Sequence, residues 1–250
     1  MALSPTLKAI ERYTFGYARH INMVSEGFDD YFASYQQATY SHFTNGIDDF
    51  FLNFPASAVP VTPPASRTIL YAGNIGEGQG LEKIIPQTAR LLGPAYRFVV
   101  IGDGSTKNRL EKAVADEGLT NIDIRLPVNR DTLLTEYKQA DYLFMHLNDL
   151  AAFERCLPSK LFEYAATDKP ILAGVAGYAA HFVKKHITNS FVFAPGDAAP
   201  LTNYLLKTPY QNAVRTEFIN QFRRQTIIRS LAKQILKSAG YVPDQVMATC

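Results

Sequence analysis

The chain has 250 residues, of which 47% are hydrophobic and 19% charged, with a net charge of +2. That composition belongs to a globular protein able to bury a sizeable core; it is too weakly basic to argue for nucleic acid, and no apolar run is long enough to cross a bilayer. Cys156 and Cys250 are too few and too far apart for a disulfide framework or a metal spacing, so no metal is expected. The start carries no basic-plus-apolar leader, which makes the expected compartment the cytoplasm.

In chain order, Pro5–Arg19 reads as a helix and Ile21–Val24 as a strand. Ser25 reads as the N-cap of a second helix running to about Ala33, and Tyr40–Thr44 as a strand ended by the Asn45-Gly46 turn. Residues 1–52 are too short for a complete α/β domain and read as the tail of one. Apolar surface left open on such a remnant would favour a dimer. Pro55, Pro60, Pro63 and Pro64 mark 53–66 as an extended linker.

Residues 67–210 then alternate regularly. Strand Thr68–Ala72 breaks into Gly73, Gly76, Gly78 and Gly80 before a helix to Leu92. Strand Arg97–Ile101 runs through Gly102-Asp103-Gly104 into a helix capped by Ser105. Strand Ile122–Leu126 runs through Pro127-Val128-Asn129 into a helix ending near Ala140. Strand Tyr142–His146 is followed by a longer loop and helix Pro158–Ala166, and two further strand–helix units follow to Leu206. The pattern predicts an α/β fold: a Rossmann-like parallel sheet with helices on both faces and its strand-to-helix loops gathered at one edge. Residues 211–250 read as one long helix, Gln211–Ser238, and a polar tail. Arg215, Arg223, Arg224, Arg229, Lys233 and Lys237 on that helix read as a solvated face, with weak attraction to a membrane surface as the sharper alternative.

Two stretches carry chemistry. A strand, glycine loop and helix at 68–92 can aim backbone N–H groups at a phosphate, although a ligand-free turn fits the loop equally well. In PSKLFEYAATDKPI, Pro158 suits a first helical position, Ser159 offers a hydroxyl and Lys160 a charge. Glu163, one turn on, can accept hydrogen bonds from the two hydroxyls of a ribose. On spacing alone, a plain surface pair between Lys160 and Glu163 fits better. His146, ending a strand at the predicted cleft, is either a sugar contact or a structural histidine. Asp168 reads as a left-handed helix cap.

Several motifs fall in one order. They are INMVSEGFDDYF and FTNGIDDFF (Ile21–Phe32, Phe43–Phe51), YAGNIGEGQGLE, FVVIGDGSTKNRL, LLTEYKQADYLFMHL (Leu133–Leu147), PSKLFEYAATDKPILAG and FINQFRRQTIIRSLAKQIL. In these the chain resembles the retaining, nucleotide-sugar-dependent glycosyltransferases of the GT-B fold, a group that includes bacterial polysaccharide, O-antigen and capsule transferases. The resemblance implies the donor-binding half of such an enzyme with a remnant of the acceptor half. A nucleotide sugar, with a UDP-sugar favoured, would give a hexosyl group to a glycan or lipid-linked acceptor, with no cofactor and no metal.

Carried onto this sequence, Glu163 would hold the ribose, and Gly73 to Gly76 would lie close to the diphosphate with Ser159 and Lys160. Gly102, Asp103 and Gly104 form the family's second glycine turn, and Val128 and Asn129 would line the base. Asn74 and Gln79 stand where relatives often carry Arg or Lys. The relatives' glutamate eight residues before Glu163 is replaced by Arg155, so Lys160 and Arg155 are the expected cations at the leaving group. A truncated, non-catalytic nucleotide-binding module and a nucleotide-sugar epimerase are the alternatives.

Overall fold

The computed structural model describes residues 5–52, 54 and 65–241. The linker assigned to 53–66 and the tail beyond 241 therefore lie almost wholly outside the described residues.

The first unit contains α1 (Pro5–Gly16), β1 (His20–Met23), α2 (Asp29–Phe32) and β2 (Thr39–His42). Its two strands pair in parallel, over a small core of Ile21, Met23 and Ala38. The expected helix from Ser25 to Ala33 is instead a 3-10 turn followed by the four-residue α2. Ser25 does cap it, accepting from the Gly27 N–H at 3.0 Å. The same hydroxyl donates to the Arg155 carbonyl at 2.9 Å. A side chain on Gly27 would come within 2.6 Å of that carbonyl. The chain is thus drawn against the 147–157 loop, and the bend shortens the helix. Leu7, Ile10 and Tyr13 on α1, and Tyr17 just beyond it, stay exposed.

The main unit is a six-stranded parallel sheet in the order β5-β4-β3-β6-β7-β8. Its strands are β3 (Arg67–Ala72), β4 (Tyr96–Ile101), β5 (Ile122–Arg125), β6 (Tyr142–His146), β7 (Ile171–Gly174) and β8 (Ser190–Phe193). Successive side chains of a strand point to opposite faces, and this divides the core. Ile69, Tyr71, Phe98, Val100 and Phe144 pack under α3 (Leu81–Leu92), α4 (Lys107–Asp116) and α8 (Ala198–Lys207). Leu70, Ala72, Val99, Leu143 and Met145 pack under α5 (Arg130–Gln139), α6 (Lys160–Ala165), α7 (Gly177–His186) and α9 (Thr216–Gln221). From β3 the chain winds outward to β5, then returns to β6 on the other side and winds outward again. That reversal between β3 and β6 is where open α/β sheets leave a ligand crevice.

The long C-terminal helix expected from Gln211 to Ser238 is two helices, α9 and α10 (Arg224–Ser238). The break has a cause. Ile47, wholly buried, lays its backbone against Phe222 and Arg224, donating to the Phe222 carbonyl at 2.7 Å and accepting from the Arg224 N–H at 3.0 Å. These bonds compensate the intrahelical ones lost at Arg223, whose backbone is extended. Asp48 next to it meets the guanidinium groups of Arg224 at 2.9 Å and Arg130 at 3.1 Å. The Phe50 N–H, chiefly, and these two cations hold the Asp48 carboxyl below its usual range.

Arg215 also departs from expectation. It is no part of a solvated basic face but is 3% exposed. Its guanidinium donates to four carbonyls, those of Thr167, Thr188, Lys169 and Asn189, at 2.7 to 3.0 Å. Burial pushes its pKa down to about 10. Asp168 is not a left-handed cap either: Asn189 is the non-glycine residue with positive φ among the described residues.

Candidate functional site

Two cavities open at the crevice. One, of about 370 Å³, is lined by Gly73, Gly102, Asp103, Pro127, Val128 and Leu133. The other, of about 220 Å³, is lined by Tyr71, Gln79, His146, Leu147, Pro158 and Ser159. Asn74 and Lys160 line both. The two cavities are therefore adjoining parts of one crevice, and Lys160 is the cation shared by their walls among the described residues.

The glycines explain how Lys160 gets there. A Cβ on Gly73 would lie 2.9 Å from the Lys160 Cε, so the missing side chain is what lets the lysine stem cross the loop. A Cβ on Gly102 would collide with the Gly73 carbonyl, and one on Gly104 with that of Ile75. The loop after β3 and the loop after β4 are in backbone contact, and Ile75 N–H donates to Asp103 O at 2.8 Å.

This packing changes the expected role of the glycine loop. Its N–H groups are largely committed within the protein. Gly73 donates to Ile101 O at 2.9 Å, and Gln79 and Gly80 donate to Gly76 O at 2.9 and 3.2 Å. Gly76 donates to the Gln79 side-chain oxygen at 3.2 Å, and the Asn74 amide reaches the same oxygen at 2.9 Å. Asn74 and Gln79 thus brace the loop from within. The loop makes room for a charge more than it supplies donors.

Lys160 Nζ lies 3.6 Å from Glu163 Oε2, and both side chains are about three-quarters covered. The pair that spacing alone suggested is present, with Lys160 on the crevice wall and Glu163 lining neither cavity. Glu163 also accepts from the Tyr137 hydroxyl at 3.3 Å. Tyr137 is fully buried, stacked on Phe51 at 6.1 Å and edge-on to Tyr164 at 5.5 Å. Burial pushes its phenol strongly upward, so it remains a donor at any ordinary pH. Tyr137 lay inside a quoted motif yet received no role. A tyrosine on a predicted amphipathic helix reads as core, and nothing in sequence shows that its oxygen reaches a carboxylate 26 positions away.

His146 is held by two backbone groups. Nδ1 donates to Gln79 O at 2.6 Å, and Nε2 accepts from the Gly196 N–H at 2.8 Å. Neither nitrogen is left for a sugar hydroxyl. The ring fixes the end of the glycine loop. Desolvation, chiefly, lowers its pKa below the ordinary histidine value. The folded form therefore resists protonation, so the stability present above the unfolded value of about 6.5 is lost as pH falls below it. His186, also lowered by burial, adds to the same slope. His146→Gln is expected to flatten part of the loss of unfolding free energy between pH 6.5 and pH 5, measured by urea denaturation; an unchanged slope would contradict the assignment.

Arg155 and Asn129 do not join the crevice walls. The Arg155 guanidinium lies 5.9 Å from the ring centroid of Tyr31, toward the first unit. The proposed second cation is therefore directed elsewhere. Asn129 Oδ1 accepts from the Thr132 N–H at 2.8 Å as the N-cap of α5, while Val128 beside it does line the larger cavity. Asp103 Oδ1 accepts from the Gly104 N–H at 2.9 Å. Asn148, which sequence reasoning passed over, clamps the glycine loop through Glu77 O at 3.0 Å and Gly78 O at 2.8 Å.

Residues 56–225 match the family model of the glycosyl transferases group 1. The chain belongs to that family. Over 99 residues it is 37% identical to WcaI of Escherichia coli K12, described as a colanic acid biosynthesis glycosyl transferase. That match takes in 40% of this chain and 24% of the relative. Among solved structures, Anabaena HepE in complex with UDP and glucose superposes at a TM-score of 0.73 with 15% identity, covering 93% of this chain and 67% of that one. Sucrose-phosphate synthase from Thermosynechococcus elongatus gives 0.75 at 15% identity, over 95% and 63%. The six-stranded parallel sheet with helices on both faces matches the GT-B fold of these neighbours. Among the described residues, no helix is long and apolar enough to cross a membrane.

Proposed function

We propose that the crevice binds a nucleoside-diphosphate sugar, with UDP as the favoured nucleotide, and that the chain is the donor-binding part of a retaining hexosyltransferase acting on a glycan or lipid-linked acceptor in polysaccharide synthesis. The observation that carries this reading is Lys160, placed between two adjoining cavities by Gly73 and held 3.6 Å from Glu163. In this reading the larger cavity takes the base against Val128 and Leu133, and Glu163 takes the ribose hydroxyls. Lys160 and Ser159 take the diphosphate.

In transfer, the bond from the anomeric carbon to the β-phosphate oxygen breaks as a bond to the acceptor oxygen forms, and the acceptor proton leaves with the departing phosphate. Negative charge builds on the diphosphate, and a fixed cation there lowers the barrier. Lys160 meets that need from within the protein. The WcaI relative and the UDP bound in HepE support the substrate class.

The reading is tested by following UDP release from UDP-hexoses, with and without glycan acceptors. Lys160→Ala is expected to slow release by about 100-fold or more, while its affinity for uridine stays near that of the unaltered chain. Equal losses in both, or no turnover by the unaltered chain with any donor, would favour the non-catalytic binding module.

A further inference from the structure

The main sheet is held together unevenly. Six residues of β3 pair with β4 and four of β6 pair with β7, whereas β3 and β6 share only Ile69–Tyr142 and Leu70–Leu143. The sheet is thus two halves, β5-β4-β3 and β6-β7-β8, joined by a short seam. At the N-terminal end of the seam Asp141 ties the halves, accepting from the Thr68 N–H at 2.7 Å and from Arg67 at 3.0 Å. Toward the C-terminal ends the strands part, with Ala72 lining the larger cavity and Met145 the smaller.

The parting has a cause in one side chain. Across β3 and β4, Ala72 pairs with Ile101, and the next N–H, that of Gly73, donates to Ile101 O. Each N–H therefore reaches the carbonyl one residue before its own register partner. Continued across the seam, the register puts Ala72 opposite Met145 and makes Phe144 O the acceptor for the Ala72 N–H. That rung is not direct. The Ala72 N–H donates to the Tyr164 hydroxyl at 3.4 Å, and the hydroxyl donates to Phe144 O at 3.3 Å. One oxygen is inserted into the ladder, so two bonds in series stand where a single bond of about 2.9 Å would hold the strands together.

Tyr164 is wholly buried. Burial holds its phenol well above the ordinary value, so the hydroxyl keeps the proton it donates. Its ring lies beneath the site. Lys160 Nζ is 5.5 Å from the ring centroid, within cation–π range. Tyr137, which donates to Glu163, meets the ring edge-on at 5.5 Å. The same side chain thus spaces the strands and seats the lysine one helical turn before it. We propose that Tyr164 is a positioning residue whose hydroxyl is a spacer between β3 and β6, setting the width of the crevice at Lys160 and so the fit of the diphosphate. The inference rests on the nucleotide-sugar reading above and deepens it. The base is placed independently, because Val128 and Leu133 follow β5 in the half of the sheet that includes β3.

Tyr164→Phe keeps the ring and removes the spacer. Calorimetry on the folded variant is expected to show UDP affinity lower by about tenfold, with uridine within about twofold of the unaltered chain. Tyr164→para-methylphenylalanine fills the hydroxyl's place without bonding, and is expected to keep its UDP affinity while its urea midpoint falls. A lower midpoint in Tyr164→Phe with UDP affinity unchanged would overturn the proposal, since a purely structural rung acts on folding alone. So would equal losses for UDP and uridine, or a loss of about tenfold in the para-methyl variant. NMR amide shifts of the nucleotide-free chain report the spacing separately. Tyr164→Phe is expected to move Gly73 and Asn74 on one side and Met145 and His146 on the other; changes confined to Ala72 and Phe144 would also overturn the proposal. A chain that shows the paired shifts yet binds no UDP would contradict the nucleotide-sugar reading and not the spacer.

Discussion

Glu163→Ala is expected to weaken UDP binding by about 100-fold, roughly 3 kcal/mol, because two charge-assisted hydrogen bonds to the ribose are lost together. The carboxylate is prepared for that task. Tyr137 donates to one of its oxygens at 3.3 Å from a buried position, and Lys160 holds the same oxygen at 3.6 Å. Glu163 is one-quarter exposed, so its loss should leave the melting temperature nearly unchanged, which separates a binding effect from an unfolding one. Tyr137→Phe removes one orienting bond and should cost about 1 kcal/mol in UDP affinity. Calorimetry on the two variants checks the order. A Glu163→Ala chain that binds UDP within threefold of the unaltered one would show that the ribose is held elsewhere, a threefold change being only about 0.7 kcal/mol.

Arg215→Ala is expected to cost about 3–5 kcal/mol of folding stability, a large share of the total for any domain. One guanidinium satisfies carbonyls from the turn after α6 (Thr167, Lys169) and from the turn before β8 (Thr188, Asn189). Removing it takes this donor from the Thr167, Lys169 and Thr188 oxygens, while Asn189 O keeps the Ile171 N–H at 3.1 Å, and it leaves a void where a buried guanidinium stood. Arg215→Lys should recover little, since a compact ammonium lacks the planar fork that spans four acceptors. Urea denaturation reads the effect as a fall in midpoint at constant slope. A loss below about 1 kcal/mol would mean that the carbonyls find other partners.

The strand–helix alternation and the crevice were legible because their signals are local. Ile69-Leu70-Tyr71-Ala72 is apolar on both faces, as a strand covered on both sides must be. The run of glycines marked the loop, but its meaning was not local. Which backbone each missing Cβ makes room for depends on β4 and α6 arriving beside β3, so the glycines read as donors to a ligand when several serve close approach. Arg215 was misread for a similar reason: its four partners come from 167–189, and helical spacing shows only a basic residue among others. The break between α9 and α10 was invisible because its cause, Ile47, lies more than 170 residues upstream. Arg155 was promoted for its sequence position near Glu163, yet its side chain turns toward Tyr31.

The central claim is that Lys160 and Glu163 jointly form a nucleoside-diphosphate site. Calorimetric titration of the full chain with UDP, UMP, GDP and ADP tests it most directly. UDP is expected to bind more tightly than UMP by roughly tenfold or more, the contribution of the β-phosphate at Lys160, and more tightly than GDP or ADP through the fit of the base at Val128 and Leu133. UDP and UMP binding alike would contradict the placement of the diphosphate at Lys160, and no binding of any nucleotide would contradict the site itself.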